Sequence, residues 1–178
     1  MHPGHVVALG YRYPSPDSIE GLRNAVETLP RSAVRKAMEG FLESVGALEL
    51  GEWEELHTRT LDLSPMFVPY VGHVSWGENY RRGEFMAELK RDMEGAAVDL
   101  AGELPDHIEP ILRYLATTST PLPDLVEVLE SSVGEMQSTL ATADKQNPYR
   151  NLLAATLSVV QDLKPVAIGV RQTLGGKQ

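Results

Sequence analysis

One pair of side chains has a spacing that can bind a metal ion. Glu54 and His57 lie three residues apart, so a helix would place both on the same face. Helical di-iron sites use this Glu-x-x-His spacing, but they need a second such pair and two further carboxylates. Neither His73 nor His107 has a carboxylate three residues before it. We therefore interpret the pair as a surface glutamate and a partly buried histidine, and we expect no metal ion and no other cofactor.

Motifs of other catalytic classes are missing from the sequence. It contains no His-Glu-x-x-His segment, phosphate-binding glycine loop or dinucleotide fingerprint. It also contains no cysteine, which excludes disulfides, thiolate metal sites and a thiol nucleophile. A Ser-His-Asp triad stays open, because its members need to meet only in space. Since no motif points to a reaction, we expect the protein not to be an enzyme.

The charge of the chain favours a basic partner. The sequence has 25 acidic residues against 16 Lys and Arg, a net charge of -9 at pH 7. Such a surface repels phosphate backbones and anionic lipids, so we expect no nucleic-acid partner and no membrane insertion. A basic peptide would suit it, and simple solubility is the alternative explanation. With no apolar run long enough to span a membrane and no secretory signal, we predict a cytoplasmic protein.

An aromatic and methionine-rich stretch lies in the middle of the chain. Aromatic residues make up only 6% of the sequence, yet four of the eleven fall between Phe67 and Tyr80. Methionine and aromatic side chains pack adaptably and are favoured on peptide-binding surfaces. The alternative is a central helix that is apolar because it is buried. The candidate binding residues in this stretch are Met66, Phe67, Tyr70, Trp76 and Tyr80.

Apolar residues recur at helical spacing along most of the chain. Stripes with steps of three and four begin at Val34, Phe85, Leu122 and Leu153. Prolines and capping residues separate the stripes, and no segment alternates convincingly with the period of a strand. The sequence therefore predicts an all-α fold, a single domain over residues 1–178 with about eight or nine helices. Pro165 is expected to kink or end the last helix, and residues 175–178 are expected to be disordered.

Two acidic segments have alternative interpretations. Glu103 and Asp106 flank the dipeptide Leu-Pro, and His107 follows them. Asp106 can cap the helix that begins there. Alternatively, Glu103, Asp106 and His107 face a binding partner and pair with its arginines or backbone. Asp62 can likewise cap the turn at Ser64 or face the partner, and both interpretations remain open.

Three short blocks of the sequence, residues 58–65, 77–83 and 103–107, resemble segments of a known family, the NarJ-type chaperones. Residues 58–65 resemble that family's Thr-Phe-Asp-Leu segment, with Leu61 where the family often has Phe. Residues 77–83 resemble its Gly-Asp/Glu-x-x-x-Arg-Gly stretch, and residues 103–107 resemble its Glu-Leu-Pro-Asp signature. The spacing between the blocks matches as well. The resemblance extends over about residues 53–116, and residues 9–14 are similar to the family's opening Leu-x-Tyr-Pro.

The resemblance implies an all-α chaperone of the superfamily that also contains TorD and DmsD. Such proteins bind the apo catalytic subunit of a molybdopterin oxidoreductase, such as a nitrate reductase or a relative, and hold it for cofactor insertion. They often bind its N-terminal leader, and leaders of the twin-arginine type are basic, which agrees with the net charge of -9. The alternatives are a helical interaction or regulatory domain with an unrelated client, and a helical-bundle enzyme or metal carrier. A monomer and a homodimer both remain open.

Arg82 and Gly83 have expected structural roles beside that function. Gly83 is expected to let two helices approach closely, and Arg82 to tie the loop of Asp62 to the loop of residues 103–107. The full set of candidate client-binding residues is Asp62, Met66, Phe67, Tyr70, Trp76, Tyr80, Arg82, Glu103, Asp106 and His107.

Overall fold

Helices account for all the regular structure in the part of the chain that is described. The computed structural model describes residues 1–63 and 65–174, with side chains as far as residue 163. Within these residues there are nine α-helices and a π-helical turn, and the only β pairing is an isolated bridge between Tyr70 and His107. The predicted all-α bundle is confirmed. The helices are α1 (Pro3–Gly10), α2 (Ser18–Glu27), α3 (Ala33–Gly46), α4 (Leu50–His57), α5 (Val71–Trp76), α6 (Tyr80–Gly95), α7 (Ile108–Thr117), α8 (Pro123–Ala143) and α9 (Tyr149–Leu174).

Short polar side chains fix where several helices begin. The hydroxyl of Ser32 accepts the Arg35 N–H at 3.2 Å ahead of α3, and Asn79 Oδ1 accepts the Arg81 N–H at 3.0 Å ahead of α6. These side chains satisfy backbone donors that have no partner within the helix. Serine and asparagine are favoured helix caps, so both starts can be recognised in the sequence.

The core forms where α3 and α8 pack against α9, while α1 packs between α7 and α9. The predicted stripe of α3 is buried from Val34 to Val45, and the stripe of α6 is buried at Phe85, Leu89 and Met93. Burying each such side chain contributes about 1.5–3 kcal/mol, so these faces stabilise the bundle.

The last helix continues through its proline. Pro165 is expected from the sequence to kink or end α9, and because α9 extends to Leu174 the helix does not end there. A proline removes one bond of the helical ladder, and the bonds on either side can carry the helix across it. The predicted disorder of residues 175–178 lies outside the described residues. No helix in the described part of the chain is both long enough and apolar enough to cross a membrane.

A π-helical turn (Thr58–Asp62) follows α4 directly and is tied to the start of α9. Thr60 is fully buried, and its hydroxyl accepts the side-chain N–H of Asn147 at 3.0 Å. The other side-chain atom of Asn147, Oδ1, accepts the Tyr149 N–H at 3.0 Å. This tie holds the turn with Leu61 buried and Asp62 exposed. Wide turns of this kind occur frequently at functional sites.

We expect Asn147→Ala to lower the free energy of unfolding by about 2–3 kcal/mol, because it removes a helix cap and leaves the buried Thr60 hydroxyl unpaired. Urea denaturation measures the loss. The matched control is Asn79→Ala, which removes an exposed cap and should cost about 1 kcal/mol. Equal losses in the two variants would contradict the tie between the π-helical turn and α9.

Candidate functional site

A buried ion pair joins α6 to the loop before α7. Arg82 Nε donates to Asp106 Oδ2 at 2.8 Å, and Arg82 Nη2 lies 3.4 Å from Asp106 Oδ1. The Asp106 side chain is fully buried, and only 14% of the Arg82 side chain is exposed. The hydrogen bond to Asp106 is the main cause that raises the pKa of Arg82. Because removing either partner would leave an uncompensated buried charge, the pair holds α6 and this loop in one arrangement.

His107, rather than Asp106, caps helix α7. Its Nδ1 accepts the Glu109 N–H at 3.2 Å. The carboxylate of Asp106 is directed to Arg82 instead, and its main-chain oxygen accepts the Val71 N–H at 2.8 Å. The predicted cap by Asp106 is therefore not found. Since Asp106 has no exposed surface, any contribution to client binding must act through the residues that it positions.

Tyr70 connects the segment before α5 to the same loop. Its hydroxyl donates to Glu103 Oε1 at 3.0 Å, and its ring lies edge-on to the His107 ring with centroids 5.1 Å apart. The Arg82 guanidinium carbon lies 5.7 Å from the centre of the Tyr70 ring. Burial, and then the charge of Glu103, raise the pKa of Tyr70 to about 12, so its hydroxyl remains a proton donor at neutral pH. Three separate segments therefore meet at Tyr70.

A cleft of about 670 Å³ lies beside this junction. Four of the predicted residues line it, namely Asp62, Tyr70, Glu103 and His107. The other lining residues come from parts of the chain that were not selected from the sequence, including residues 11–13, His57, Asp99 and Arg113. Residues 11–13 belong to the segment that resembles the family's opening, so the sequence contains a signal by which they could have been selected. Asp99 and Arg113 carried no signal, because only the fold brings them to the cleft.

The cleft carries carboxylates that are free to pair with a cation. Its two arginines are already engaged, since Arg12 lies 3.1 Å from Glu109 and Arg113 contacts Glu109 at 2.9 and 2.8 Å. Among the described residues, no Lys or Arg forms an ion pair with Asp62, Asp99 or Glu103. A guanidinium or ammonium group entering the cleft can accordingly form charge-assisted hydrogen bonds with these three side chains.

Two neutral histidines complete the cleft. Burial lowers the pKa of His107, and it lowers the pKa of His57 to about 4. Because His107 Nδ1 accepts a backbone N–H, its proton must be on Nε2, which makes Nε2 a hydrogen-bond donor. His57 Nδ1 lies 2.8 Å from the Tyr149 hydroxyl, and its ring packs edge-on against Tyr13 at 5.4 Å. The cleft therefore combines negative charge with at least one neutral donor.

The remaining predicted residues do not line the cleft. Phe67 is buried in the core, and half-buried Met66 contacts Asn147 through its sulfur at 3.6 Å. Trp76 is half-buried against Phe85, with ring centroids 4.9 Å apart. Within this stretch, the alternative of a single buried central helix is not found, because α5 covers only Val71–Trp76 and Tyr80 already belongs to α6.

Tyr80 lies at a different hollow. It is 79% exposed and borders a small space of about 190 Å³ that Glu84, Glu88 and Asp124 also line. The aromatic stretch is thus divided between the core, the cleft and the small space beside Tyr80.

The close approach predicted at Gly83 occurs at Gly72 instead. A Cβ atom at Gly83 would meet nothing within 4 Å, whereas a Cβ atom at Gly72 would lie 2.7 Å from Asp106 Oδ2. The expected role of Gly83 is therefore wrong. The expected tie from Arg82 to residues 103–107 is confirmed through Asp106, but within the described residues Arg82 makes no bond to Asp62.

The chain was compared with models of protein families and with curated proteins, and neither comparison finds a match. Within the described residues, no three His, Cys, Asp or Glu side chains are grouped so that they could hold a metal ion. The arrangement can bind a cation or a peptide through its carboxylates and its imidazole donor. The cleft and the residues that position it are therefore the structural basis on which a function can be assigned.

We expect Gly72→Ala to lower the free energy of unfolding by about 1–3 kcal/mol, because the new methyl group would displace a carboxylate that is already bonded to Arg82. Gly83→Ala is the matched control in a neighbouring helix. It should stabilise the protein by up to about 1 kcal/mol, because alanine is the better helix former. Thermal and urea unfolding of the two variants test the assignment, and a neutral Gly72→Ala would contradict it.

We expect the stability to fall as the pH is lowered from about 6.5 to about 4, the interval between the ordinary pKa of His57 and its lowered pKa. In that interval the unfolded chain binds a proton that the folded chain does not bind. Each such proton makes the unfolding free energy fall by up to about 1.4 kcal/mol per pH unit. His57→Gln should flatten the curve in urea titrations at a series of pH values. An unchanged slope, or titration of His57 near its ordinary pKa in an NMR experiment, would contradict this expectation.

Proposed function

We propose that the protein is a NarJ-type chaperone that binds the apo catalytic subunit of a molybdopterin oxidoreductase through a basic segment such as its N-terminal leader. The observation that carries the proposal is the convergence of the family-like blocks. Residues 58–65 supply Asp62 to the cleft, and residues 103–107 supply Glu103 and His107. Residues 77–83 supply Arg82, which holds the second of these segments in place.

The chemistry of the cleft suits a basic peptide. Asp62, Asp99 and Glu103 can pair with arginine side chains, whose fork of N–H donors matches a carboxylate. His107 Nε2–H can donate to a main-chain carbonyl of an extended segment. A volume of about 670 Å³ is in the range of ligand-binding clefts and leaves room for several side chains.

No covalent step is assigned to the chaperone, and none of its residues is proposed as catalytic. Its work is to hold an apo subunit until cofactor insertion and then to release it. That work would take place in the cytoplasm, where the subunit is made. The negative net charge of -9 would also favour rapid encounter with a basic segment, because long-range attraction steers association. The bundle can act as a monomer or as a homodimer in this scheme.

His107 gives the sharpest test, because substitutions separate its capping role from its proposed donor role. Asparagine is a strong helix cap but has no group where Nε2–H lies, so we expect His107→Asn to keep the cap and to lose only the packing of the ring against Tyr70. His107→Ala should lose about 1 kcal/mol more than His107→Asn, through the lost cap. Both variants should bind labelled twin-arginine leader peptides about tenfold more weakly, since a hydrogen bond to ligand is lost in each.

Fluorescence anisotropy with the leader peptides and urea denaturation of each variant give the two readouts. Binding by His107→Asn that equals the wild type would leave His107 with a capping role only. The rival function, a helical interaction domain with an unrelated client, would be favoured by co-purification dominated by a protein other than a molybdopterin subunit.

A further inference from the structure

The cleft is the first of four neighbouring hollows, of which the first three border α4 or the π-helical turn and the fourth borders α3, α8 and α9. The second hollow, of about 340 Å³, shares Tyr13 with the cleft. The third, of about 360 Å³, shares Glu55 and Arg59 with the second. The fourth, of about 630 Å³, shares Asn147 with the third, and Lys145 and Arg150 line it. We call these four hollows the groove.

Charge changes sign along the groove. The second hollow is lined by Glu54 and Glu55, and the third adds Glu52 and Asp144, so the carboxylates of the cleft continue through both. Among the described residues, Arg59 is the single cation lining these two hollows. The fourth hollow is different, because no carboxylate of the described part of the chain lines it, although the sequence has 25 acidic residues.

The cations of the fourth hollow are available to a ligand. Lys145 and Arg150 are both exposed, and neither pairs with a carboxylate among the described residues. Arg150 Nη1 donates to the main-chain oxygen of Lys145, which holds the guanidinium beside the loop between α8 and α9. The two positive charges therefore lie together at one end of an otherwise acidic groove.

We propose that the groove holds one extended protein segment, with basic side chains along the acidic hollows and an acidic side chain at Lys145 and Arg150. The inference rests on the proposed function, because the basic part of the segment occupies the same cleft. A row of hollows that share lining residues suits an extended chain, which advances about 3.3 Å per residue, better than a compact ligand. Tyr13 and Leu63 are 56% and 71% exposed beside the second hollow and offer apolar surface to the middle of the segment.

The sign change would also fix the direction of the segment. A segment laid in reverse would place its acidic residue against Asp62 and Glu103 and its basic residues against Lys145 and Arg150. Like charges placed side by side reject such a partner. The groove would thus select a partner by the order of its charges as well as by its net charge.

The test uses synthetic peptides that join a block of alternating Arg and Leu to an Asp pair through Gly-Ser spacers of increasing length. In a matched series the Asp pair is replaced by an Asn pair. We expect the Asp peptides to bind wild-type protein roughly three- to tenfold more tightly than the Asn peptides over one range of spacer lengths. The double variant Lys145→Glu, Arg150→Glu should abolish or reverse the preference for the Asp peptides. Arg23→Glu with Arg31→Glu makes the same change in net charge on exposed residues outside the groove, and it should leave the preference intact.

The outcomes separate this inference from the proposed function. One outcome is that the Arg-Leu block binds, that the double variant Asp62→Asn, Glu103→Gln weakens this binding, and that the Asp peptides never bind more tightly than the Asn peptides. In that case the groove inference is wrong and the cleft proposal stands. A preference for Asp that survives Lys145→Glu with Arg150→Glu also overturns the inference. If the wild type does not bind the Arg-Leu block at any spacer length, both proposals fail. Circular dichroism and thermal unfolding establish that each variant is folded.

Discussion

The bond between Arg82 and Asp106 is the interaction on which the geometry of the candidate site depends. It fixes the loop of residues 103–107 against α6, and the main chain of Asp106 then fixes Val71 at the start of α5. Only a residue without a side chain fits between these elements, which explains glycine at position 72. Once these three segments are joined, Tyr70 and Glu103 have one arrangement relative to each other. The side chains that line the cleft are thus positioned by a pair that is itself largely buried.

Stability alone does not explain a buried ion pair at this place. Removing two charges from water is costly, and a well-packed apolar pair is often as stable or more stable. What the pair supplies is orientation, because a guanidinium and a carboxylate meet in a planar geometry that apolar side chains do not impose. A second buried polar contact, the neutral hydrogen bond from Asn147 to Thr60, holds the π-helical turn that carries Asp62 to the cleft. Two buried polar contacts therefore position the segments that carry Asp62 and Glu103.

The sequence predicts the helices well because their buried stripes are local patterns. The stripe from Val34 to Val45 and the cap at Asn79 can be recognised without any knowledge of tertiary contacts. The site is harder, because its members are joined by contacts between distant segments. Gly83 and Gly72 look equivalent in the sequence, yet only Gly72 lies against another element. Asp106 is a residue type that often caps a helix. Its carboxylate is bonded to Arg82 instead, and the next residue, His107, caps α7.

The electrostatics of the cleft suit binding that can be reversed. Glu109 is satisfied by both Arg12 and Arg113, so these guanidinium groups do not neutralise the remaining carboxylates. Asp62, Asp99 and Glu103 line the cleft and can form charge-assisted hydrogen bonds with a basic segment. Each exposed ion pair contributes only about 0.2–1 kcal/mol, and salt weakens it. Several such pairs must act together to give useful affinity, and they can be lost one at a time. A chaperone that must hold an apo subunit and later release it needs a contact surface with this property.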